Sequence, residues 1–394
     1  MKRNLVRRDF LKTGAGAAAL SFTLARPEWV FGAAANSKLE IGIIGSGGRG
    51  KWIANLFEQH GGYKVVACAD YFQERVDELG EKYGVEPTRR HTGLSGYKKL
   101  LESKLDAVAI ESPPCFHPEQ AAAAVAAGKH AFVAKPIAVD VPGCQSIEAS
   151  GKAATAKKLA FLIDFQSRTD PFFIEAVGRV RQGEIGKIVS GQAAYLTGRL
   201  GLHAEPGSPE ARLKNWVFDK ALSGDIITEQ NIHALDIATW ILDAAPLCAV
   251  GRGGRKLRVD VGDCWDHFEV IFDFPEDIVL SFHSKQCGRG ADDIMARVYG
   301  ETGTIDAHYG GVVNIKGDKP YEGGETKGIF TDGAVRNIAT FHESITKGDF
   351  SNPTVAPSVR SNLTTILGRT AAYTGKEVTW EEMMRTGEPA AARL

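Results

Sequence analysis

The sequence predicts an α/β protein, with a doubly wound parallel sheet followed by an α+β domain whose sheet is open and mostly antiparallel. From residue 39 to about residue 162, short apolar runs alternate with helical stretches, as parallel strands alternate with crossover helices. From residue 188 onwards, strand-like runs follow one another with turn signals between them. The 394 residues also exceed the length of one ordinary core, so more than one domain is expected.

The first apolar runs are predicted to be parallel strands because they are short, apolar and separated by helical stretches. These strands are residues 41–44, 64–69, 107–111, 130–134 and 159–163, and the helices are residues 51–60, 73–83, 97–103, 117–127 and 142–157. Together they predict a nucleotide-binding domain over residues 36–163.

Later in the chain, residues 264–274 alternate between mostly apolar and mixed side chains, which indicates an antiparallel sheet with one core face. On the other face, Trp265, Ile271 and His283 are too apolar for plain solvent, so we expect a homo-oligomer that packs through this sheet. The predicted domain is residues 164–332, and residues 333–394 are helices packing back on the body. In residues 164–332 the predicted elements are strands 188–196, 249–252, 265–274, 278–285 and 295–299, helices 170–181 and 226–242, and a glycine-rich loop that begins at 317 and runs to 333. In residues 333–394 they are helices 337–347 and 358–374.

A glycine-rich turn follows the first strand and leads into a helix. Gly45, Gly47 and Gly50 fit the spacing G-x-G-x-x-G, which suits a tight turn, a close approach to a pyrophosphate and close packing of helix on strand, respectively. Gly48 and Arg49 lie inside the same turn and are further candidate contacts. The free N–H groups at the start of the helix would hold the phosphates. The context predicts a Rossmann dinucleotide site, the alternative being a merely structural turn.

Asp70 ends the second strand and predicts which dinucleotide binds. A carboxylate at this position accepts hydrogen bonds from a ribose 2′-OH and repels a 2′-phosphate, so NAD is favoured over NADP. Arg75 lies a few residues on and would soften that preference. The alternative is a solvated aspartate at a strand end.

Polar residues at other strand ends are candidates for chemistry, since the carboxyl ends of parallel strands face the ligand crevice. Lys135 ends one strand, and Ser112, Pro113 and His117 follow another. A lysine desolvated beside a nicotinamide has a lowered pKa, which permits proton transfer near neutral pH. The alternative for Lys135 is an ordinary surface lysine at a strand end.

Glu229 and His233 are four residues apart on the predicted helix 226–242, so they share a face. A carboxylate one turn away can orient an imidazole and support its positive form. Asp236 extends this face, but no further ligand set has convincing spacing, so no metal is predicted. The alternative is a polar helix face on the surface.

The start of the chain indicates export. Arg7-Arg8-Asp9-Phe10-Leu11-Lys12 is a twin-arginine sequence, followed by an apolar segment over 13–25 and small residues at 32–35. The apolar segment is too short and glycine-rich for stable membrane insertion. Residues 1–35 are therefore predicted to be a signal peptide for the periplasm or another exported location, the alternative being a basic tail.

Composition excludes several classes. The net charge of −1 and the lack of a basic stripe argue against nucleic-acid binding. Six scattered cysteines without a C-x-x-C pair argue against a zinc ribbon, an iron–sulfur site or a dense disulfide framework.

The set of motifs resembles the Gfo/Idh/MocA oxidoreductases, which include glucose–fructose oxidoreductase and inositol dehydrogenase. The resemblance rests on the Gly45–Gly50 turn, Asp70 and the segments 112–117, 134–136, 182–186 and 224–236. Two positions depart from the family pattern: Ala134 stands where Glu-Lys-Pro usually has its glutamate, and Glu229 stands where aspartate is usual.

The resemblance implies NAD-dependent oxidation of the CH–OH group of a sugar, polyol or glycoside. Lys135 and His233 would contact the reacting hydroxyl, and Glu229 would orient them. Arg168, Asn215 and Trp216 are candidate sugar contacts, with ordinary packing or salt bridging as the alternative.

An exported enzyme has no obvious supply of free NAD, so a retained cofactor is expected. One scheme oxidises one sugar and reduces another. The alternative is a redox-neutral glycosidase or lyase, which oxidises a hydroxyl transiently, eliminates the glycosidic substituent and reduces the ring again. A third reading is a nucleotide-bound sugar sensor without turnover, against which the pairing of Lys135 with His233 argues.

Overall fold

The alternation of apolar runs and helices in the first part of the chain builds a six-stranded parallel sheet. The computed structural model describes residues 38–387 and 389–390, so the predicted signal peptide lies outside the described residues. The elements of this part are β1 Leu39–Ile44, α1 Gly48–His60, β2 Tyr63–Asp70, α2 Gln73–Tyr83, β3 Arg90–Thr92, α3 Gly96–Glu102, β4 Ala107–Ile110, α4 His117–Ala126, β5 His130–Ala134, α5 Val141–Ala156 and β6 Phe161–Asp164.

The strand order β3-β2-β1-β4-β5-β6 places a topological switch point between β1 and β4. All neighbouring strands in this sheet run parallel. Both faces are covered: Ile43 packs into one apolar cluster and Ile44 into another. Ligands of such sheets bind outside the carboxyl ends of the strands at the switch point, which is where the turn after β1 lies.

The second sheet has nine strands in the order β14-β13-β12-β11-β7-β10-β9-β8-β15. Its pairs are antiparallel except for β7 and β10, which run parallel, so the prediction of a mostly antiparallel sheet is confirmed. The elements of this part are α6 Pro171–Arg181, β7 Ile188–Thr197, α7 Ala211–Lys214, α8 Lys220–Ser223, α9 Ile226–Glu229, α10 Ile232–Leu242, β8 Cys248–Gly254, β9 His267–Phe274, β10 Ile278–Gln286, β11 Asp293–Gly300, β12 Gly303–His308, β13 Val312–Gly317, β14 Tyr321–Glu325, α11 Ile329–Lys347, α12 Val355–Thr374, β15 Val378–Thr379 and α13 Trp380–Thr386.

Two predicted elements are wrong. The single helix over 226–242 is two helices, α9 and α10, separated at Gln230 and Asn231. The glycine-rich stretch 317–333 is not one loop, because it contains β14 and the start of α11. A glycine is needed inside β14: a Cβ at Gly323 would lie 1.7 Å from the carbonyl oxygen of Val313 on β13.

The last long helices pack against both sheets. Phe341 of α11 packs against Phe132 of the parallel sheet, and Leu367 of α12 lies in the large cluster that also holds Phe272 of β9. Trp265 was expected on the outer face of the second sheet, but it precedes β9 and stacks on Tyr373 of α12, with ring centroids 3.9 Å apart. No helix in the described part of the chain is long and apolar enough to span a membrane.

Candidate active site

The glycine turn divides into residues that the fold requires and residues that face open space. Gly45 has φ +92°, and a Cβ there would lie 2.5 Å from the Ser112 amide nitrogen. A Cβ at Gly50 would lie 1.7 Å from the carbonyl oxygen of Gly45. At Gly47 the nearest atom would be the flexible Arg75 side chain at 3.3 Å, and at Gly48 there is nothing within 4 Å. Gly47 and Gly48 therefore leave a cradle at the start of α1, which suits a phosphate.

A first cavity of about 290 Å³ runs past this turn to Asp70. The Asp70 carboxylate accepts hydrogen bonds from the amides of Ser46 at 2.7 Å and Phe72 at 3.0 Å, which fix its orientation. Arg75 lies over the Phe72 ring, with Nη1 3.9 Å from Asp70 Oδ1. Both Asp70 and Arg75 line the cavity, so a ribose and its base fit beside a carboxylate already held in place.

His117 is buried where the loops after β4 and β5 meet. Its Nδ1 lies 2.9 Å from the Pro136 carbonyl oxygen and its Nε2 lies 2.7 Å from the Ser112 carbonyl oxygen. Burial lowers the pKa of His117 to about 4. His117 therefore ties the two loops together, while Ser112 and Pro113 line the first cavity.

A second cavity of about 670 Å³ adjoins the first and holds the candidate catalytic residues. Gly48, Arg49, Ser112 and Trp216 are among the residues that line both cavities. One ligand could therefore extend from the Asp70 end of the first cavity into the second.

Lys135 and Glu229 meet in the second cavity. Lys135 Nζ donates a hydrogen bond to the Glu229 carbonyl oxygen at 2.9 Å and lies 3.7 Å from Glu229 Oε1. Both side chains are 8 % exposed. Burial lowers the pKa of Lys135, although the charge of Glu229 opposes that shift. The lysine is thus held in a fixed position in which its neutral form is more accessible than on a surface.

His233 presents an unpaired nitrogen in the same cavity. Its Nδ1 has no hydrogen-bond partner among the described residues, and its ring lies 4.8 Å from that of Tyr309. Burial and the nearby charge of Lys135 lower the pKa of His233 well below its usual value. The imidazole is therefore neutral at neutral pH and can accept a hydrogen bond from a ligand.

Glu229 does not support a positive His233 from one helical turn away, because α9 ends before α10 begins. Its carboxylate accepts a hydrogen bond from Gln230, whose Oε1 in turn accepts one from the Tyr195 hydroxyl at 2.6 Å. Tyr195 and Gln230 were not singled out by the sequence patterns, since β7 and the helix break bring them together only in the fold.

Two further carboxylates lie at the strand ends of the site. Arg49 Nε lies 2.9 Å from Glu111 Oε2, and Arg49 Nη2 donates to Asp164. Glu111 directly follows β4 and Asp164 ends β6, so the same strand-end argument that identified Asp70 could have identified both.

Of the three predicted sugar contacts, only Trp216 lines the second cavity. Arg168 donates to the fully buried Asp236 at 2.7 Å and lines a separate cavity, because Asp236 needs a counter-charge. Asn215 is used within its own loop: its Oδ1 accepts from the His203 amide at 2.7 Å, and its Nδ2 donates to the Ala204 carbonyl at 2.7 Å. The structure therefore does not bring Arg168 and Asn215 into the second cavity with Trp216, and their role as sugar contacts stays a prediction. Within residues 38–387 and 389–390, no group of three or more His, Cys, Asp or Glu side chains is placed to hold a metal ion.

Two protein-family models match the chain. Residues 39–162 match the GFO_IDH_MocA model, described as an oxidoreductase family with an NAD-binding Rossmann fold, and residues 173–306 match the GFO/IDH/MocA C-terminal domain. The chain is 26% identical over 272 residues to scyllo-inositol 2-dehydrogenase (NAD(+)) of Bacillus subtilis, covering 68% of this chain and 73% of that protein. It is 28% identical over 302 residues to levoglucosan dehydrogenase of Pseudarthrobacter phenanthrenivorans, covering 69% and 74%.

Solved structures show the same fold. GenD2 from gentamicin A biosynthesis, in complex with NAD, has a TM-score of 0.71 at 19% identity, covering 88% of this chain and 98% of that one. A levoglucosan dehydrogenase in complex with NADH and levoglucosan has a TM-score of 0.69 at 21% identity, covering 87% and 99%. Together with the two matched models, these likenesses account for both sheets of the molecule.

Proposed function

The chain belongs to the GFO/IDH/MocA oxidoreductase family and carries its NAD-binding Rossmann fold, and on that premise we propose that it oxidises the CH–OH group of a sugar, polyol or glycoside. The observation that carries the proposal is the meeting of Lys135 and an unpaired His233 nitrogen in a cavity adjoining the dinucleotide cavity. The relatives named above are dehydrogenases of inositol and of levoglucosan, which supports a polyhydroxylated substrate.

The residues present fit NAD along its whole length. Asp70 would hold the adenosine ribose, and the open Gly47 and Gly48 would admit the pyrophosphate at the start of α1. The nicotinamide end would then enter the second cavity beside Lys135. When bound, NAD supplies the hydride acceptor, and the protein supplies position and electrostatics. The fixed Asp70 carboxylate supports NAD over NADP.

Proton transfer is assigned to Lys135. Its neutral amine accepts the proton of the reacting hydroxyl, and the carbonyl and carboxylate of Glu229 hold Nζ in place. The hydrogen-bonded series from Tyr195 through Gln230 fixes the Glu229 carboxylate. The His233 Nδ1 accepts a hydrogen bond from a substrate hydroxyl, which satisfies an otherwise unpaired buried nitrogen.

Aromatic walls support a carbohydrate ligand. Trp52 and Phe330 stack with centroids 4.7 Å apart, and both line the second cavity with Tyr309 and Trp216. Such rings pack against the apolar C–H faces of sugars while Lys135 and His233 bind hydroxyls. This combination favours a ring sugar, a cyclic polyol or a glycoside over a linear acid.

A retained cofactor is part of the proposal and is motivated by the twin-arginine segment at Arg7 and Arg8. The test is to purify the exported protein, record its nicotinamide absorbance, and add sugars, polyols and aryl glycosides without added NAD. We expect bound cofactor on arrival and its reduction by one substrate class, with no reduction in Lys135→Ala. Release of aglycone without a net absorbance change would replace the dehydrogenase by the redox-neutral glycosidase. A protein that arrives empty and turns over only with added NAD would contradict retention but not the dehydrogenase.

A further inference from the structure

Three positions form a row across the ends of neighbouring parallel strands, and two of them, Glu111 and Ala134, line the catalytic cavity. Ala134 of β5 pairs directly with Asp164 of β6. On the other side of Ala134, Ile110 of β4 pairs with Val133 of β5. Glu111 is the next residue after Ile110, as Ala134 is after Val133, so Glu111 lies beside Ala134. Residues paired in a parallel ladder share a face, and this row continues the face on which Ala109, Phe132 and Leu162 pack. Ala134 is thus flanked by two carboxylates.

Arg49 spans this row from the first turn of α1. Its guanidinium pairs with Glu111 at 2.9 Å on one side and with Asp164 on the other. Both carboxylate side chains are fully buried, and neither Glu111 oxygen has a hydrogen-bond partner among the described residues. Two buried carboxylates without a cation would be strongly destabilising, so the pairing with Arg49 is what keeps them in place.

The row includes Ala134, the position at which the sequence resemblance described above implies the glutamate of Glu-Lys-Pro. A longer side chain there would enter the space beside Arg49 and add a third buried carboxylate. The methyl group of Ala134 avoids this while Glu111 and Asp164 supply negative charge from the strands on either side. Asn337 donates to Asp164 at 2.7 Å and anchors that end of the row.

We propose that Glu111 and Asp164 are positioning residues that hold Arg49 across the floor of the catalytic cavity and together replace the missing carboxylate of position 134. The inference rests on the proposed function, in which the nicotinamide end of NAD lies in this cavity. The oxidised nicotinamide ring is positively charged and the reduced ring is neutral. Two ionised carboxylates and one guanidinium give the row a net negative charge, and a net negative charge near the ring stabilises the oxidised form relative to the reduced form.

The test is the ratio of bound NAD⁺ to bound NADH after equilibration with mixtures of known composition. At pH 8, above the pKa of about 7 that burial gives Glu111, we expect Glu111→Gln to shift the bound ratio about tenfold towards NADH. A tenfold shift corresponds to about 30 mV in the potential of the bound cofactor. Asp164→Asn should shift the ratio in the same direction.

Three further variants separate this role from a general loss of structure. Glu111→Asp keeps the charge and should keep the ratio of bound NAD⁺ to bound NADH. The double variant Glu111→Ala with Ala134→Glu moves the carboxylate to the neighbouring strand and should restore the ratio of the unaltered protein. Glu148→Gln, on the surface of α5, is the matched control and should leave the ratio unchanged.

Equal loss of affinity for both cofactor forms in Glu111→Gln, or a ratio the same as the unaltered protein's, would overturn the inference. A double variant that binds NAD but fails to restore the ratio would overturn the assignment to position 134. These outcomes are distinct from failure of the proposed function, which would show as normal turnover in Lys135→Ala whatever the cofactor ratio.

Discussion

At the scale of single residues, the two buried basic side chains of the site, Arg49 and Lys135, differ in how firmly they hold their charge. Arg49 is paired with two buried carboxylates, so it stays charged and bound to the strand ends. Lys135 contacts the carbonyl and the carboxylate of Glu229, and burial lowers its pKa. The structure therefore separates a fixed cation from a group that can exchange a proton in the same cavity.

Lys135→Met tests the assignment of the base. Removing a general base typically costs about 10²–10⁴-fold in rate, so we expect kcat to fall by this amount while NAD binding persists. In the unaltered protein the amine is the active form, so kcat/KM for oxidation should rise with pH and level off below the ordinary lysine pKa. This rise should be absent in Lys135→Met. Steady-state rates across pH measure it, with Lys152→Met on the surface of α5 as the control.

A residual rate in Lys135→Met within about threefold of the unaltered protein, with the same pH profile, would assign the proton transfer elsewhere. His233 would then be the next group to examine, because its Nδ1 faces the same cavity without a hydrogen-bond partner among the described residues.

Asp70→Ser tests the cofactor preference. Hydrogen bonds to a charged group are worth about 1.5–3 kcal/mol, so losing the carboxylate should reduce the preference for NAD over NADP by roughly ten- to a hundredfold. Arg75 would then be free to face a 2′-phosphate. The ratio of kcat/KM for the two cofactors measures the change, and Asp77→Ser on α2 serves as the control. An unchanged ratio would show that Asp70 serves only the turn, through Ser46 and Phe72.

At the scale of elements, different glycines of the turn after β1 are expected to serve the stability of the fold and the binding of NAD. Gly50→Ala would force a Cβ to within 1.7 Å of a backbone oxygen, so we expect a destabilised protein. Gly47→Ala has room in the fold, since only the flexible Arg75 approaches it, but its methyl group would fill the space left for the pyrophosphate. We expect near-normal thermal stability and at least tenfold weaker NAD binding for Gly47→Ala.

Gly48→Ala belongs with Gly47→Ala, because a Cβ there meets nothing within 4 Å of the fold and alanine favours a helix over glycine, so it should also keep near-normal stability. Thermal unfolding and NAD titration of the three variants would measure the contrast. Equal loss of stability in Gly47→Ala and Gly50→Ala would contradict the division of the turn into structural and binding glycines.

The elements also show what sequence patterns can and cannot predict. The five predicted parallel strands are all present, because buried strands read as short apolar runs whatever their neighbours. The break between α9 and α10 was not predicted, because the polar residues 228–231 include no glycine or proline to mark a helix end. The strand β14 was not predicted, because its glycines are typical of loops. In the structure they lie in a strand, where the backbone of β13 comes too close for a side chain at Gly323.

The same distinction holds within the site. The location of Asp70 and Lys135 at the crevice could be predicted, because Asp70 ends β2 and Lys135 directly follows β5. The ion pair of Arg168 with Asp236 of α10 could not be predicted, because only the folded chain brings these two residues together. The proposed compensation of Ala134 by Glu111 depends on register across neighbouring strands, which a single sequence does not display.

At the scale of the whole molecule, the outer face of the second sheet retains exposed apolar side chains. Val250 of β8 pairs with Ile271 of β9, and these two and Val279 of β10 are 38%, 46% and 42% exposed. Monomeric proteins rarely leave such side chains grouped in solvent, which supports the proposed homo-oligomer. Light scattering should give at least twice the mass of the single chain, which is 42.4 kDa with residues 1–35 included.

Ile271→Asp should lower that mass, because it places a charge in the proposed interface without altering the buried face of β9. Ile174→Asp, at an exposed position on α6, is the control. A single-chain mass for the unaltered protein at micromolar concentration would contradict the proposed association.

Deuterium transfer tests the central claim, oxidation of a carbohydrate CH–OH group by bound NAD, most directly. The purified protein is incubated with a fully C-deuterated substrate, such as deuterated inositol or glucose, and the cofactor is then released and its mass measured. We predict one deuterium on the nicotinamide of the reduced cofactor, and none when Lys135→Ala is used. Reduced cofactor without deuterium, or no transfer from any sugar, polyol or glycoside tested, would contradict the account.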